Sequence, residues 1–342
     1  MQPEDPVVAI CMALHNPNPV LLRRQLQSID DQTERRWIGL ALDDGSDPKG
    51  AAFIEAEFAN RVRWQLLPRN GVADGPYLAF EALLRAAADF ELPIALSDQD
   101  DWWHPDKLET LVPMLDGDIA LVFSAMAATD VNGRALNYRV LSRRPKAEQL
   151  TATEILTMNT VSGCAAILSP TLVRLALPFP RPSTAGRHDQ WLAVMAASVG
   201  RVRYCDRILI RYTIHSAQVE GLGVRRLRST LPSWLRAVTR PAGLRQDLAR
   251  RNAWITASAR QSALRSDLDP AALPYVSGRL DRPTLRALAS SVLARNAPIP
   301  RGILLAAGYL FAADAAPAAP MAPHLSRQEK PPQAHDCWPA HN

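Results

Sequence analysis

The sequence predicts an α/β fold, with a mostly parallel central sheet and helices on both faces. Three observations lead there. Short apolar runs alternate with amphipathic stretches through the first half of the chain. Carboxylates gather directly after those runs, at the strand ends where open α/β sheets bind ligands. No GxGxxG or GxxxxGK[ST] follows any strand, which argues against a dinucleotide-dependent dehydrogenase or a P-loop NTPase.

The elements follow in order. Val7 to Ala13 reads as a buried strand, and Pro19 to Asp31 as a helix, with Leu22, Leu26 and Ile29 at helical spacing. Trp37 to Leu42 is a second strand and Val62 to Leu67 a third. A helix from Tyr77 to Ala88 then leads into a fourth strand, Pro93 to Leu96. The first strand ends at His15 and Asn16, the second at Asp43 and Asp44, and the fourth at Asp98, Asp100 and Asp101. Five carboxylates at one sheet edge repel each other unless a cation or hydrogen-bond donors sit among them. Hard oxygen ligands without paired cysteines or HExxH suit Mg²⁺ or Mn²⁺, ions that commonly carry a diphosphate.

Plainer readings stand beside these. Asp43 to Ser46 has the composition of a turn. Asp98 to Asp101 could cap a helix beginning near Pro105. Trp102 and Trp103 suit packing as well as stacking.

Composition bounds the rest. The chain has 342 residues, 47% hydrophobic, enough for one catalytic domain and an appendage. Its net charge of +5 comes mainly from arginines concentrated after Arg201, a distribution that favours an acidic or membrane surface over a nucleic-acid groove. Cys11, Cys164, Cys205 and Cys337 form no CxxC or CxH spacing, so a reducing compartment is expected, with neither a disulfide framework nor a zinc site. The first residues are acidic where a secretion signal is basic, and no apolar run reaches the length of a membrane span.

The ordered motifs carry a resemblance. VVAICMALHNPNPVLLRRQLQSIDDQT, LALDDGS, RNGVADGPYLAF and ALSDQDDWWHPDKLETL are followed by LVFSAMAATDVNGRAL, NTVSGCAAILS, RHDQWLAVMAASVGRVRY and ILIRYTIHSAQVEG. Together they resemble the family-2 glycosyltransferases, and within them the bacterial rhamnosyltransferase-like group. The likeness covers roughly residues 6–221.

It implies the GT-A fold, with a nucleotide-binding half over about 1–124 and an acceptor half over about 125–221. It implies a divalent ion, Mg²⁺ or Mn²⁺, held through an Asp-x-Asp motif that matches Asp98-Gln99-Asp100. Asp100 is then the foremost metal ligand, Asp98 lies nearer the ribose, Asp101 assists, and His215 falls near the metal or pyrophosphate. Asp44 contacts the nucleobase, with Asp43, His15 and Asn16 in the same pocket; the family more often has Tyr or Phe where His15 stands. Asp189 becomes the base that deprotonates an acceptor hydroxyl, a single carboxylate implying inversion by direct displacement. Without the resemblance Asp189 reads first as a helix cap. Gly163 and Cys164, with His188 and Trp191, are expected around the acceptor.

The resemblance points to L-rhamnose transfer from dTDP-rhamnose onto a cell-surface polysaccharide or lipopolysaccharide acceptor, free or lipid-linked. A UDP-hexose transferase of the same fold and a non-catalytic scaffold are the competing expectations. Residues 222–312 read as a basic helical extension, whose Arg-rich amphipathic stretch over 224–238 either lies on an anionic membrane surface or packs on the domain. The Ala- and Pro-rich tail over 313–342 reads as disordered. A cytoplasmic protein, peripheral at the inner face of the membrane and without a nucleic-acid partner, is the expected whole.

Overall fold

The computed structural model describes residues 5–68, 74–139, 150–157, 159–181, 186–215, 241–266, 274–277 and 284. Among them nine strands form one sheet, in the order β3-β2-β1-β4-β8-β6-β9-β5, with β7 paired to β6. β1 (Val8–Leu14), β2 (Trp37–Asp43), β3 (Trp64–Leu67) and β4 (Ile94–Ser97) pair in parallel. Parallel neighbours need crossover connections, and helices supply them: α1 (Pro19–Asp30), α2 (Pro48–Phe58) and α3 (Pro76–Ala87). Asn18 starts α1 by accepting from the backbone N–H groups of Val20 and Leu21 at 3.0 and 3.3 Å. Asp47 starts α2 through the N–H of Gly50 at 2.7 Å. Each helix has proline in its first turn, where a missing N–H costs nothing.

Beyond β4 the sheet is mixed rather than parallel. β8 (Ala166–Leu168) runs antiparallel to both β4 and β6 (Ile119–Thr129), and β5 (Trp102–Trp103) runs antiparallel to β9 (Arg201–Thr213). β9 returns parallel to β6, and β7 (Ala135–Arg139) forms a hairpin with it. Strands of two and three residues are too short to carry a period of their own, which is why the alternation seen in the first half stops there.

Helices cover both faces. α1, α2 and α4 (Lys107–Leu111) bury Leu22, Ile54 and Leu108 on one side. α3, α6 (Pro170–Ala176), α7 (His188–Val199) and α8 (Pro241–Arg265) close the other with Phe80, Leu172, Leu192 and Trp254; α5 (Ala152–Thr157) packs beside α7. The described helix of the C-terminal extension thus packs on the domain, with Trp254 and Ile255 buried. The Arg-rich stretch 224–238 and the tail 313–342 lie outside the described residues. No helix among the described residues is long and apolar enough to cross a membrane.

Candidate active site

The carboxyl ends of β1, β2 and β4 meet at one edge and are tied there by hydrogen bonds. The side chain of Gln99 pairs with both backbone groups of His15: its Oε1 accepts from the N–H at 2.9 Å and its Nε2 donates to the carbonyl at 3.1 Å. Residue 99, the spacer of the Asp-x-Asp motif, is therefore a brace between two strand ends, a role its amide gives no hint of in sequence. His15 Nδ1 donates to the Asp44 carbonyl at 2.8 Å, because a carbonyl can only accept; this leaves Nε2 unprotonated in the neutral ring. Asn16 sits at φ 42°, a left-handed conformation that asparagine tolerates, and its Oδ1 accepts from Asp47 N–H at 2.9 Å.

Asp43 and Asp44 divide the work of the β2 end. Asp43 Oδ1 accepts from Ser46 N–H at 2.9 Å and closes a turn through Gly45 at φ 71°. Asp44, nearly buried, accepts from Asp74 N–H at 2.9 Å and so holds the chain entering α3. The turn reading and the pocket reading of this segment both apply.

The β4 end is the most charged part of the edge. Asp98, Asp101 and Cys164 bring one ligand atom each within 4.8 Å of one another. Asp101 is closed to solvent: one oxygen accepts from Thr213 N–H at 3.3 Å, and Oδ2 has no hydrogen-bond partner. Burial, then the charges of Asp98 and Asp100, raise the Asp101 carboxyl well above the usual range. Asp98 is pushed up to about 7, chiefly by burial and then by Asp100 and Asp189. Asp100 Oδ2 accepts from His215 Nε2 at 2.6 Å, so the two ends of the predicted metal set do converge.

Two cations serve this cluster from behind, and the sequence reading missed both. Lys107 is fully buried, donates to the Cys164 carbonyl at 2.8 Å and lies 3.3 Å from the centroid of the Trp103 ring. Burial lowers its ammonium to about 7, against the opposing pull of Cys164, Asp101 and Asp98. The signal was available, since it is one of only four lysines and stands nine residues after Asp98. Arg24 donates to the Asp100 carbonyl at 3.2 Å and to Thr213 Oγ1 at 2.6 Å. Trp102 lies between the guanidinium groups of Arg24 and Arg211, 5.7 and 4.5 Å from its centroid, while Trp103 is core. The two tryptophans thus split between stacking on cations and packing.

The residues present fit a divalent cation. Crowded carboxylates and one buried carboxylate oxygen without a donor form a hard, under-compensated ligand set. The atoms that come together for it are those of Asp98, Asp101 and Cys164, with the Asp100–His215 pair beside them.

Across the site, Asp189 occupies the first turn of α7 and is half-buried. It is not the cap: Arg187 holds that position, and Asp189 Oδ1 instead accepts from its neighbour Gln190 N–H at 2.6 Å. Burial raises its carboxyl, opposed by that bond and by Arg187, Arg251 and Asn159. His188 stacks on Phe80 with centroids 4.1 Å apart. Gly163 faces this turn so closely that a Cβ there would lie 2.7 Å from His188 Nε2.

Two of the expected acceptor contacts do not stand. Trp191 is fully buried and donates from Nε1 to the Ala176 carbonyl at 2.9 Å, a core residue beneath α7 with no route to a diffusing acceptor. Cys164 is likewise closed to solvent, and burial holds its thiol well above the ordinary value, so it forms part of the floor.

A mixed α/β sheet with helices on both faces and acidic strand ends at one edge is consistent with the GT-A fold. Residues 9–172 match the model of glycosyl transferase family 2. The match spans just under half of the chain, which in that stretch is similar to glycosyltransferases of this family.

Among solved structures, S. aureus TarS 1–349 in complex with UDP superposes with a TM-score of 0.51 at 15% identity, over 77% of this chain and 67% of that one. TarS 1–349 crystallised separately gives 0.54 at 16%, over 89% and 80%. A mannosyltransferase, PcManGT from Pyrobaculum calidifontis in complex with GDP-Man and Mn²⁺, gives 0.47 at 16%, over 91% and 86%. At such identities the two TarS likenesses speak for the fold alone. No curated protein matches the sequence.

Proposed function

We propose that the protein is an inverting, divalent-metal-dependent transferase that moves L-rhamnose from dTDP-rhamnose onto a saccharide acceptor of a cell-surface polysaccharide or lipopolysaccharide, at the inner face of the membrane. The observation that carries the catalytic part is the pairing of two unlike carboxylate environments. Asp98 and Asp101 crowd together beside the Asp100–His215 pair, while Asp189 stands apart, half-buried, yet close enough for its charge to raise Asp98. The rhamnosyl part rests on the order of motifs from the first strand to Gly221.

In this reading Asp44, Asp43, His15 and Asn16 bind the nucleoside. Asp98, Asp100 and His215 hold Mg²⁺ or Mn²⁺, which when bound supplies positive charge to the departing diphosphate. Asp189 takes the proton of the acceptor hydroxyl as that oxygen bonds to the anomeric carbon; the bond from that carbon to the diphosphate oxygen breaks, and the nucleoside diphosphate leaves with the electron pair. Attack from the face opposite the diphosphate inverts the centre. A raised carboxyl suits the role, since a stronger base accepts the proton more readily.

The test is thermal stability against dTDP, UDP, GDP and CDP with and without Mg²⁺ or Mn²⁺, followed by transfer assays. Stabilisation by dTDP that requires metal and disappears in Asp100→Ala is the expected result, with Asp189→Asn still binding donor while losing transfer by about a hundredfold or more. A metal-dependent shift with UDP instead would overturn the rhamnosyl assignment in favour of a UDP-hexose donor. No shift with any nucleotide would overturn the donor site and leave a scaffold.

A further inference from the structure

Beyond the family-matched residues 9–172, the C-terminal helix α8 reaches the first turn of α7. α8 packs along α7, and Trp254 anchors it: the indole is fully buried and donates to Tyr77 Oη at 3.1 Å, while that hydroxyl donates to the Pro180 carbonyl at 3.0 Å. At the far end Arg265 donates to the carbonyls of Leu175 and Pro178 at 3.1 and 3.0 Å. Between these anchors, the Arg251 guanidinium lies over the Trp254 ring, 4.7 Å from its centroid, and donates to Gln190 Oε1.

Gln190 is fully buried, and its Nε2 donates to the carbonyls of Ile155 and Leu156 at 2.6 and 3.1 Å. Its backbone N–H donates to Asp189 Oδ1. One connected path therefore runs from α8 through Arg251 and Gln190 to the carboxylate of Asp189.

We infer that Arg251 is a positioning residue for Asp189, fixing the first turn of α7 through Gln190 and setting a cation against the carboxylate from the C-terminal helix α8. The inference rests on the reading of Asp189 as the base. The groups that face Asp189 are Arg187 and His188 from α7, Asn159 ahead of the Gly163 turn, Arg251 from α8, and Asp98 from the end of β4. Burial opposes ionisation of Asp189, and Arg251 is one of the two cations that favour it. A base must also be held within a few tenths of an ångström of its working position, which neighbouring side-chain bonds achieve.

The experiment measures kcat against pH for the full chain and for Arg251→Met, Arg251→Lys, Trp254→Phe and Asp189→Asn. In Arg251→Met, kcat falls about tenfold with donor KM little changed, and the acid limb moves to higher pH by about 0.5 to 1, because the carboxylate loses a facing cation. Arg251→Lys returns the acid limb toward its original place. Trp254→Phe loses the bond to Tyr77 without a change of charge, so melting temperature falls while the acid limb stays.

If Arg251→Met does not fold, Arg251→Gln keeps a donor toward Gln190 without the charge and carries the same expected shift. An unmoved acid limb in the neutral Arg251 variant, with Asp189→Asn inactive, overturns the positioning role alone. Undiminished transfer by Asp189→Asn overturns the base assignment, and the positioning role with it.

Discussion

Asp101 places one oxygen on the Thr213 N–H and leaves the other without a donor, in a closed space shared with Asp98 and the Cys164 thiol. Such a carboxylate disfavours the metal-free fold. Asp101→Asn keeps the acceptor toward Thr213 and removes one like charge. We expect the metal-free variant to be more stable than the parent by about 1 kcal/mol at mildly alkaline pH, with metal affinity reduced about tenfold or more. Chemical denaturation in chelator and metal titration check the two halves; a variant less stable without metal would show the charge crowding to be absent. The acidic residues themselves were legible, because strand ends of an α/β sheet are few and the spacing puts Asp98, Asp100 and Asp101 at one of them. Gln99 and Lys107 were not, because a brace and a buried counter-cation announce themselves only through partners distant in sequence, at residues 15 and 164.

Elements were readable where they were long enough to show a period. The four parallel strands and the helices α1 and α3 lie within two residues of their expected limits, apart from the shorter start of β3, and proline with a preceding Asn or Asp marks the starts of α1 and α2. β5 and β8, of two and three residues, had no period to read. Trp191 was misread for a related reason: it stands two residues after Asp189 on a helix, and residues two apart point to opposite faces, one to the site and the other to the core. The Arg-rich stretch 224–238, which left membrane or domain open in sequence, lies outside the described residues, whereas α8 packs on the domain through Trp254. Trp254→Ala should therefore cost about 3 to 5 kcal/mol, the range for emptying a buried aromatic site. A cost under about 1 kcal/mol in urea denaturation would mean that α8 is only loosely held.

For the molecule as a whole, the site sets how stability depends on pH. The Asp98 carboxyl is raised in the folded state to about 7 from an ordinary 3.8, so the fold binds this proton more tightly than the unfolded chain does. Its penalty is absent below the ordinary value, grows through the interval up to about 7 and is complete above it, with Asp101 shifted in the same direction. Lys107 is lowered from 10.5 to about 7, so its penalty is complete below 7 and disappears as pH rises toward its ordinary value. The two trends meet near 7, and the metal-free protein should have a local minimum of stability there. Glu34, Glu57 and Asp106, held low by arginine partners and for Asp106 also by His104, add stability that is lost only when pH falls below the ordinary carboxylate range. A divalent cation must displace the proton from Asp98 to bind beside Asp100 and His215, so its stabilising effect should be small near pH 5 and rise toward pH 8. Melting temperatures in chelator and in Mg²⁺ or Mn²⁺, taken across that range, measure both effects. A metal-induced shift as large at pH 5 as at pH 8 would mean that the ion is held without the acidic cluster, and a metal-free curve with no dip near 7 would mean that Asp98 and Lys107 are solvated well enough to keep their ordinary charges.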